Sequence, residues 1–448
     1  MPVLTENLSV LLLLLSVFAG CLMGVVSGLI PGLHSNNIAL LLVSVSPVLI
    51  ENGIPAVYII CMILANCITH TFHDIIPAIY LGVPNSDMAL AVLPGHQLLL
   101  DGRGPEAIRL SALGSAGSVI VSIILLLPFG FLLSTIYPLI QDYIGWILLF
   151  IALIMIITEK GEHIPGQGSF TRYRPISYAF LVFMLSGLLG IFAFGKENMA
   201  SSLFGSDSPS ILLPLLSGLF GASQLVVSLT TGSVIPPQHT SLITLPANRT
   251  IKAITTGSLA GSFVAWLPGV SSSVATLLAE LVGRIGNKKD HDKYNMTDDP
   301  LNEAREFIIS VSGVNTANAV FGLFVFFFIG RARNGAIVAM SSFLEPSAIS
   351  TPIILILLCV VILASIFSYY STIRIGNTVH LFMEKIDYRK LSITVLTGLS
   401  VMVIVFTGVF GVIIFLMATS IGLLPSFMNV RKSNAMGVIL LPVILYFL

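Results

Sequence analysis

Charge is what this sequence has least of: Asp, Glu, Lys and Arg make up 9% of 448 residues, against 55% hydrophobic ones. An ordinary water-soluble domain carries about 25% charge, so that class is excluded, and a mean hydropathy of +0.98 points the same way. The formal net charge is zero. No basic stripe exists to neutralise phosphates, which speaks against a nucleic-acid partner. Cysteine is scarce too. Cys21, Cys61, Cys67 and Cys359 all lie in apolar runs without CxxC spacing, so small core residues are expected rather than a disulfide framework or a zinc site. HExxH, a Walker loop and GxSxG are also missing, and no other motif argues for catalysis or for a cofactor. The N-terminus has Glu6 but no Lys or Arg before its apolar run, and no small-residue cleavage site. It is read as a first transmembrane helix rather than a removed signal.

What is present is a succession of apolar runs near the 20 residues that a membrane span needs. They are Leu8–Ser27, Ile38–Ile50, Ile54–His70, Asp74–Leu100, Leu110–Tyr137, Tyr143–Thr158, Ile176–Gly195, Pro209–Leu229, Ile254–Val282, Phe307–Ile329, Pro352–Tyr370, Leu391–Val430 and Asn434–Leu448. Ile38–Ile50 is too short to cross alone and suits a half-helix or hairpin, whereas Leu391–Val430 is long enough for two passes. Interruptions at Asp74, Pro84, Asp87 and Pro94-Gly95-His96 mark a re-entrant element. Lys and Arg gather in cytoplasmic loops, and the richest polar stretches are Glu159–Arg174, Arg284–Arg305, Thr372–Lys390 and Arg431-Lys432. Placing these inside leaves Lys196–Ser208 and Ser341–Ser350 outside. The expectation is an all-α polytopic membrane protein of the cytoplasmic membrane, with roughly 10 to 12 transmembrane or re-entrant elements.

Two stretches resemble each other in order. Gly24-Val-Val-Ser-Gly-Leu-Ile-Pro31-Gly32-Leu-His34-Ser35 parallels Gly261-Ser-Phe-Val-Ala-Trp-Leu-Pro268-Gly269-Val-Ser271-Ser272. Each is followed by a polar cluster, Asn66 to Asp74 in one case and Asn315-Thr316-Ala-Asn318 in the other, and then by a Gly-Arg link, Gly102-Arg103 and Gly330-Arg331. Helix-breaking backbone at membrane depth is tolerated only where protein buries it or a water-filled cavity faces it. Duplicated halves with broken helices point to a transport site at their interface. The chain is divided accordingly into a first repeat (1–158), connecting helices with a basic loop (159–229), a second repeat (230–371) and C-terminal helices (372–448). By analogy with other transporters, inverted repeats are preferred over parallel ones.

These residues also carry a resemblance to a known family. Gly28-Leu-Ile-Pro31-Gly32-Leu, Leu81-Gly-Val-Pro84 with Asp87, Leu93-Pro94-Gly95-His96, Asp101-Gly-Arg103-Gly-Pro-Glu106-Ala107 and Trp266-Leu-Pro268-Gly269 resemble the permease of tripartite tricarboxylate transporters, the TctA family. The likeness is densest from Gly24 to Gly117 and from Gly257 to Glu280. His34-Ser35-Asn36-Asn37 after the first Pro-Gly, and the shorter chain, look more like the archaeal branch of that family. The resemblance implies a permease for di- and tricarboxylates, working with a small membrane subunit and a substrate-binding protein.

The candidate site follows from what an anion needs. Helix N-termini freed by a break offer N–H groups and a positive dipole end, so Pro31, Gly32, His34, Ser35, Asn36 and Asn37, with Pro268, Gly269, Ser271, Ser272 and Ser273, are taken as substrate-binding. Asn315 and Asn318 join them, as do Arg103 and Arg331, whose guanidiniums suit carboxylate or phosphate; for the arginines the alternative is anchoring to head groups. His34 is either a proton acceptor or a capping histidine. Asp87, His70, His73 and Asp74 are candidates for coupling to H⁺ or Na⁺, with helix capping by Asp87 and a hydrogen-bonded interhelical seam for the other three as alternatives. The lack of a nucleotide site implies a secondary transporter of small organic anions. Two further readings stay open: a translocase for a polyprenyl-phosphate lipid carrier, and a scaffold subunit without transport. Assembly into a homo-oligomer is left open.

Overall fold

A computed structural model describes residues 8–30, 33–80, 88, 92–159, 173–203, 211–231, 236–239, 245–268, 270, 272, 274–276, 301–346, 349–383 and 388–448. Pro31, Gly32, Asp87, Gly269, Ser271 and Ser273 lie outside these. In order, the helices are α1 (Val10–Leu29), α2 (Ser35–Glu51), α3 (Ala56–His73), α4 (Ile75–Tyr80), α5 (Val92–Leu100), α6 (Gly104–Ile124), α7 (Leu126–Ile140), α8 (Ile144–Ile157) and α9 (Arg174–Gly195). Then come α10 (Leu212–Leu216), a π turn (Ser217–Ala222), α11 (Ser223–Thr231), α12 (Ala247–Ala265), α13 (Asn302–Ile329), α14 (Gly335–Ser341), α15 (Thr351–Met383), α16 (Tyr388–Met428) and α17 (Gly437–Phe447). Among the described residues, eight helical stretches are long and apolar enough to cross a membrane. The chain is an all-α polytopic membrane protein.

Lipid tails are as apolar as Leu, so helices associate in a membrane through close packing of small residues rather than through hydrophobic burial. Four-residue glycine spacing supplies that contact twice. Gly20, Gly24 and Gly28 lay α1 along α3: a Cβ at Gly24 would stand 2.5 Å from Thr69 Cβ, and one at Gly28 2.6 Å from His73 Cβ. Gly257 and Gly261 lay α12 along α13, where a Cβ at Gly261 would stand 2.6 Å from the Val314 carbonyl oxygen. Both pairs run parallel, residue numbers rising together along each contact.

α3 and α13 cross at the centre, antiparallel, with Thr71 against Thr316 and Asp74 against Asn315. Since α1 follows α3 and α12 follows α13, α1 and α12 approach this crossing from opposite ends. Each central helix also carries a partner from the other half. α6 runs beside α13, with Glu106 on Arg305 and Ser312 donating to Ser111; α15 runs beside α3, with Ser368 donating to Thr69 and Ser371 on His73. α3 and α13 are thereby enclosed, while α1, α7 and α8 present exposed side chains such as Leu11, Phe131 and Phe150.

Several expectations need correction. Asp74 does not end a span: it is a one-residue turn between α3 and α4, inside a continuous stretch Ala56–Tyr80. Thr372–Lys390 is not wholly a loop, because α15 continues to Met383, and Thr372 is buried against His73. Arg305, assigned to a polar stretch, and Glu106, left between the apolar runs ending at Leu100 and starting at Leu110, sit inside α13 and α6 with no exposure and an Nε–Oε1 distance of 2.7 Å. The Gly-Arg links are not equivalent either. Gly102 stands between the short helix α5 and α6, whereas Gly330 follows α13 and precedes the short helix α14. Both glycines have positive φ, 75° and 66°, a backbone state that glycine adopts at many helix ends. The run expected to make two passes is divided: α16 is two helices joined at Gly408, with φ 65° and ψ −158°.

Candidate functional site

The crossing of α3 and α13 carries a cluster of buried polar residues among apolar ones such as Ile68, Phe72 and Val314. From Asn66 to Asp74 the buried residues of α3 include Asn66, Thr69, His70, Thr71, His73 and the turn residue Asp74. α13 answers with Ser312, Asn315 and Thr316. Buried polar groups are stable only when bonded, and here a chain of contacts and same-face helix neighbours links several of them.

The chain begins at the start of α2. His34 is the N-cap of that helix and its Nδ1 accepts from the Asn36 N–H at 3.3 Å, so the capping alternative describes its position. The His34 ring packs on the His70 ring with centroids 5.3 Å apart. His70 Nδ1 is 3.0 Å from the Ser27 hydroxyl, and the Asn66 amide donates to the Ser35 carbonyl at 3.2 Å. One turn beyond His70, on the same face, Asp74 accepts from the Asn315 amide at 2.8 Å. Three residues beyond Asn315, Asn318 donates to the Ser272 hydroxyl at 3.1 Å. Three contacts, His34 with His70, Asp74 with Asn315 and Asn318 with Ser272, joined by the same-face neighbours His70/Asp74 and Asn315/Asn318, form a polar path from the residues following the first Pro-Gly break to those following the second. Pro268 is half-buried just before the second set.

Not every candidate lies on this path. His73 turns to α15, where Nε2 is 3.0 Å from the Ser371 hydroxyl, so His70, His73 and Asp74 face different neighbours. Among the described residues no group of three His, Cys, Asp or Glu is placed to hold a metal. Asn36 reaches across to α14, and its Oδ1 accepts the Ala336 N–H at 3.0 Å, beside Asn334, which caps Ile337. Asn37 keeps a buried Nδ2 with no partner.

The two arginines are far from each other. Arg103 bonds Asp101 at 2.8 Å and lies 3.7 Å from Glu106, at the end of α13 marked by Arg305. Arg331 follows the opposite end of α13, whose 28 residues span roughly 42 Å. It lines a separate recess with Tyr137, Arg333 and Tyr446. Arg103 and Arg331 therefore stand near opposite ends of α13.

Sequence reading missed Ser27, Ser371 and Thr372 at this site, and the Glu106–Arg305 pair beside it. Only the glycine spacing that presses Ser27 onto α3 could have flagged the first. For Glu106 and Arg305, both counted as loop charge, no local signal exists, since each is the other's reason for being buried.

A family model described as "Tripartite tricarboxylate transporter TctA family" matches residues 14–437. The chain is 30% identical over 447 residues to an uncharacterized protein of Methanocaldococcus jannaschii, covering 97% of this chain and 99% of that one. No solved structure matches. With eight candidate spans among the described residues and a family model over nearly its whole length, this multi-pass membrane protein belongs to the tripartite tricarboxylate transporter TctA family, a transporter family rather than an enzyme family.

Proposed function

We propose that the protein is a secondary permease for small organic anions, di- or tricarboxylates, coupled to a H⁺ or Na⁺ gradient, with its substrate site between the two Pro-Gly breaks. The observation that carries this reading is the polar path from His34 to Ser272 through Asp74 and Asn315 at the crossing of α3 and α13. Polar and ionisable groups in a membrane core are costly and mark substrate or ion pathways. Ser35, Asn37, Ser272, Asn315 and Asn318 supply donors for carboxylate oxygens, together with the N–H groups following Gly32 and Gly269. His70 and Asp74, with Asp87, take the coupling ion.

Two halves, 1–158 and 230–371, related as inverted repeats, fit this mechanism. The antiparallel crossing of α3 and α13 supports that arrangement, as do the glycine-packed approaches of α1 and α12 from opposite ends. Rocking one half against the other would expose the path alternately to either side. In this reading the segments 159–229 and 372–448 form the surrounding helices. Family membership supports a small membrane subunit and a substrate-binding protein as partners.

Purified protein in liposomes tests the proposal. Labelled citrate, shorter dicarboxylates and a polyprenyl phosphate are offered under imposed H⁺ or Na⁺ gradients, with and without the binding protein. Concentrative uptake of a carboxylate under one gradient is expected. Transbilayer movement of the lipid alone would replace this reading with the lipid-carrier one, and no movement of any substrate would leave a scaffold.

A further inference from the structure

Beside Arg331 lies a recess of about 650 Å³ that the transport path does not use. It opens where the α7–α8 turn, the 330–334 segment and the end of α17 meet, lined by Tyr137, Asp142, Arg331, Arg333 and Tyr446. Arg331 is 13 positions after Asn318, roughly 20 Å farther along the α13 direction.

The recess holds two guanidiniums. Arg333 donates to the Tyr137 hydroxyl at 2.6 Å and stacks over that ring at 5.7 Å, while its Nε is buried with no partner. Among the described residues neither arginine forms an ion pair, although Asp142 lines the same recess. Burial lowers the Arg333 pKa from its ordinary value; Tyr137 opposes this and the nearby Arg331 charge adds to it. A desolvated cation next to a like charge is stabilised by an anion.

The surroundings say which anion. Tyr446 of the lining is exposed, and so are Leu139, Tyr143 and Trp146, beside Gln141, Asp142 and Ile144 in sequence, and Leu445 of α17, an apolar flank edged with Trp and Tyr. Such aromatics mark the level where hydrocarbon gives way to head groups. A soluble carboxylate or free phosphate has no use for that flank, whereas acyl chains cover it. Arginine forks match phosphate oxygens bidentately.

We propose that this recess binds the phosphate head group of a membrane lipid, with Arg331 and Arg333 on the phosphate and the exposed faces of α7, α8 and α17 along the acyl chains. The lipid is bound there and is not cargo. It closes the junction between the end of α13 and the α7–α8 hairpin.

Native mass spectrometry of the full chain in detergent tests this with three probes: phosphatidylglycerol, a glycosyl diacylglycerol with the same tails, and inorganic phosphate. Wild type is expected to retain phosphatidylglycerol over the neutral glycolipid. Arg331→Gln should lower its occupancy about tenfold, the worth of one charge-assisted pair, and the double variant Arg331→Gln/Arg333→Gln should lower it further, with glycolipid occupancy unchanged. Arg331 is exposed, so its single substitution reports binding without disturbing the fold. Equal phosphatidylglycerol occupancy in wild type and Arg331→Gln overturns the proposal, and so does equal retention of the neutral glycolipid by wild type. Displacement of the lipid by inorganic phosphate would show a free-anion site and also overturn it.

Discussion

Removing Glu106 should do more harm than removing Glu106 and Arg305 together. The pair is fully buried, with Arg305 Nε donating to Glu106 Oε1 at 2.7 Å and Arg305 Nη1 donating to Asn302 Oδ1 at 3.0 Å. In Glu106→Leu the guanidinium stays within protein and loses its carboxylate, and breaking such a pair costs about 3–5 kcal/mol. In Glu106→Leu/Arg305→Met no charge is stranded, since Arg103 is partly exposed and keeps Asp101; apolar replacement of a whole buried pair is often neutral. Unfolding entropy of about 2.1 cal/mol/K per residue over 448 residues gives roughly 0.9 kcal/mol/K. The single variant should therefore melt about 3–5 °C below wild type, and the double variant close to it. Thermal unfolding in detergent, followed by tryptophan fluorescence or circular dichroism, reads both. If single and double variants lose the same amount, the pair is not the buried unit described here.

Close helix packing should be equally specific. Gly24→Ala puts a Cβ 2.5 Å from Thr69 Cβ and 2.8 Å from the Asn66 carbonyl oxygen, and such overpacking costs about 1–3 kcal/mol; Gly398→Ala, mid-helix with nothing within 4 Å, should be stabilising by about 0.5–1 kcal/mol, both read as melting temperature. At Gly408, where φ is 65° and a Cβ would stand 2.7 Å from the Ser201 oxygens, Ala should lower stability by about 1–3 kcal/mol. For orientation, in a Cys359→Ala background an impermeant maleimide should label Glu345→Cys on intact cells, but Arg389→Cys only after permeabilisation. The reverse pattern would invert the assignment drawn from Lys and Arg placement.

Sequence periodicity and charge placement made the class, the broken first helix and the division of α16 into two helices legible, because span length and helix breakers are local properties. Asn66 to Asp74 and Asn315 to Asn318 were legible as polar clusters, since such residues stand out in apolar runs. What they touch was not. His34 could be seen as polar but not as a neighbour of His70, a contact that depends on α1 packing against α3 through Gly20, Gly24 and Gly28. Arg331 looked like the counterpart of Arg103 because a glycine precedes each at the same place in two similar stretches, yet the two lie beyond opposite ends of α13. Glu106 and Arg305 were hidden for a different reason: a charged residue is assigned to a loop unless its partner, here 199 positions away, is already known.

The central claim is that Asp74, between the two breaks, serves transport. Asp74→Asn keeps the side chain's shape and an acceptor for the Asn315 amide but removes its charge. With wild type and variant in liposomes at matched protein density, labelled carboxylate uptake is measured under an imposed H⁺ or Na⁺ gradient. The account predicts gradient-driven accumulation by wild type, and by Asp74→Asn only the level of protein-free liposomes, with melting temperature unchanged. Undiminished accumulation by Asp74→Asn would contradict it.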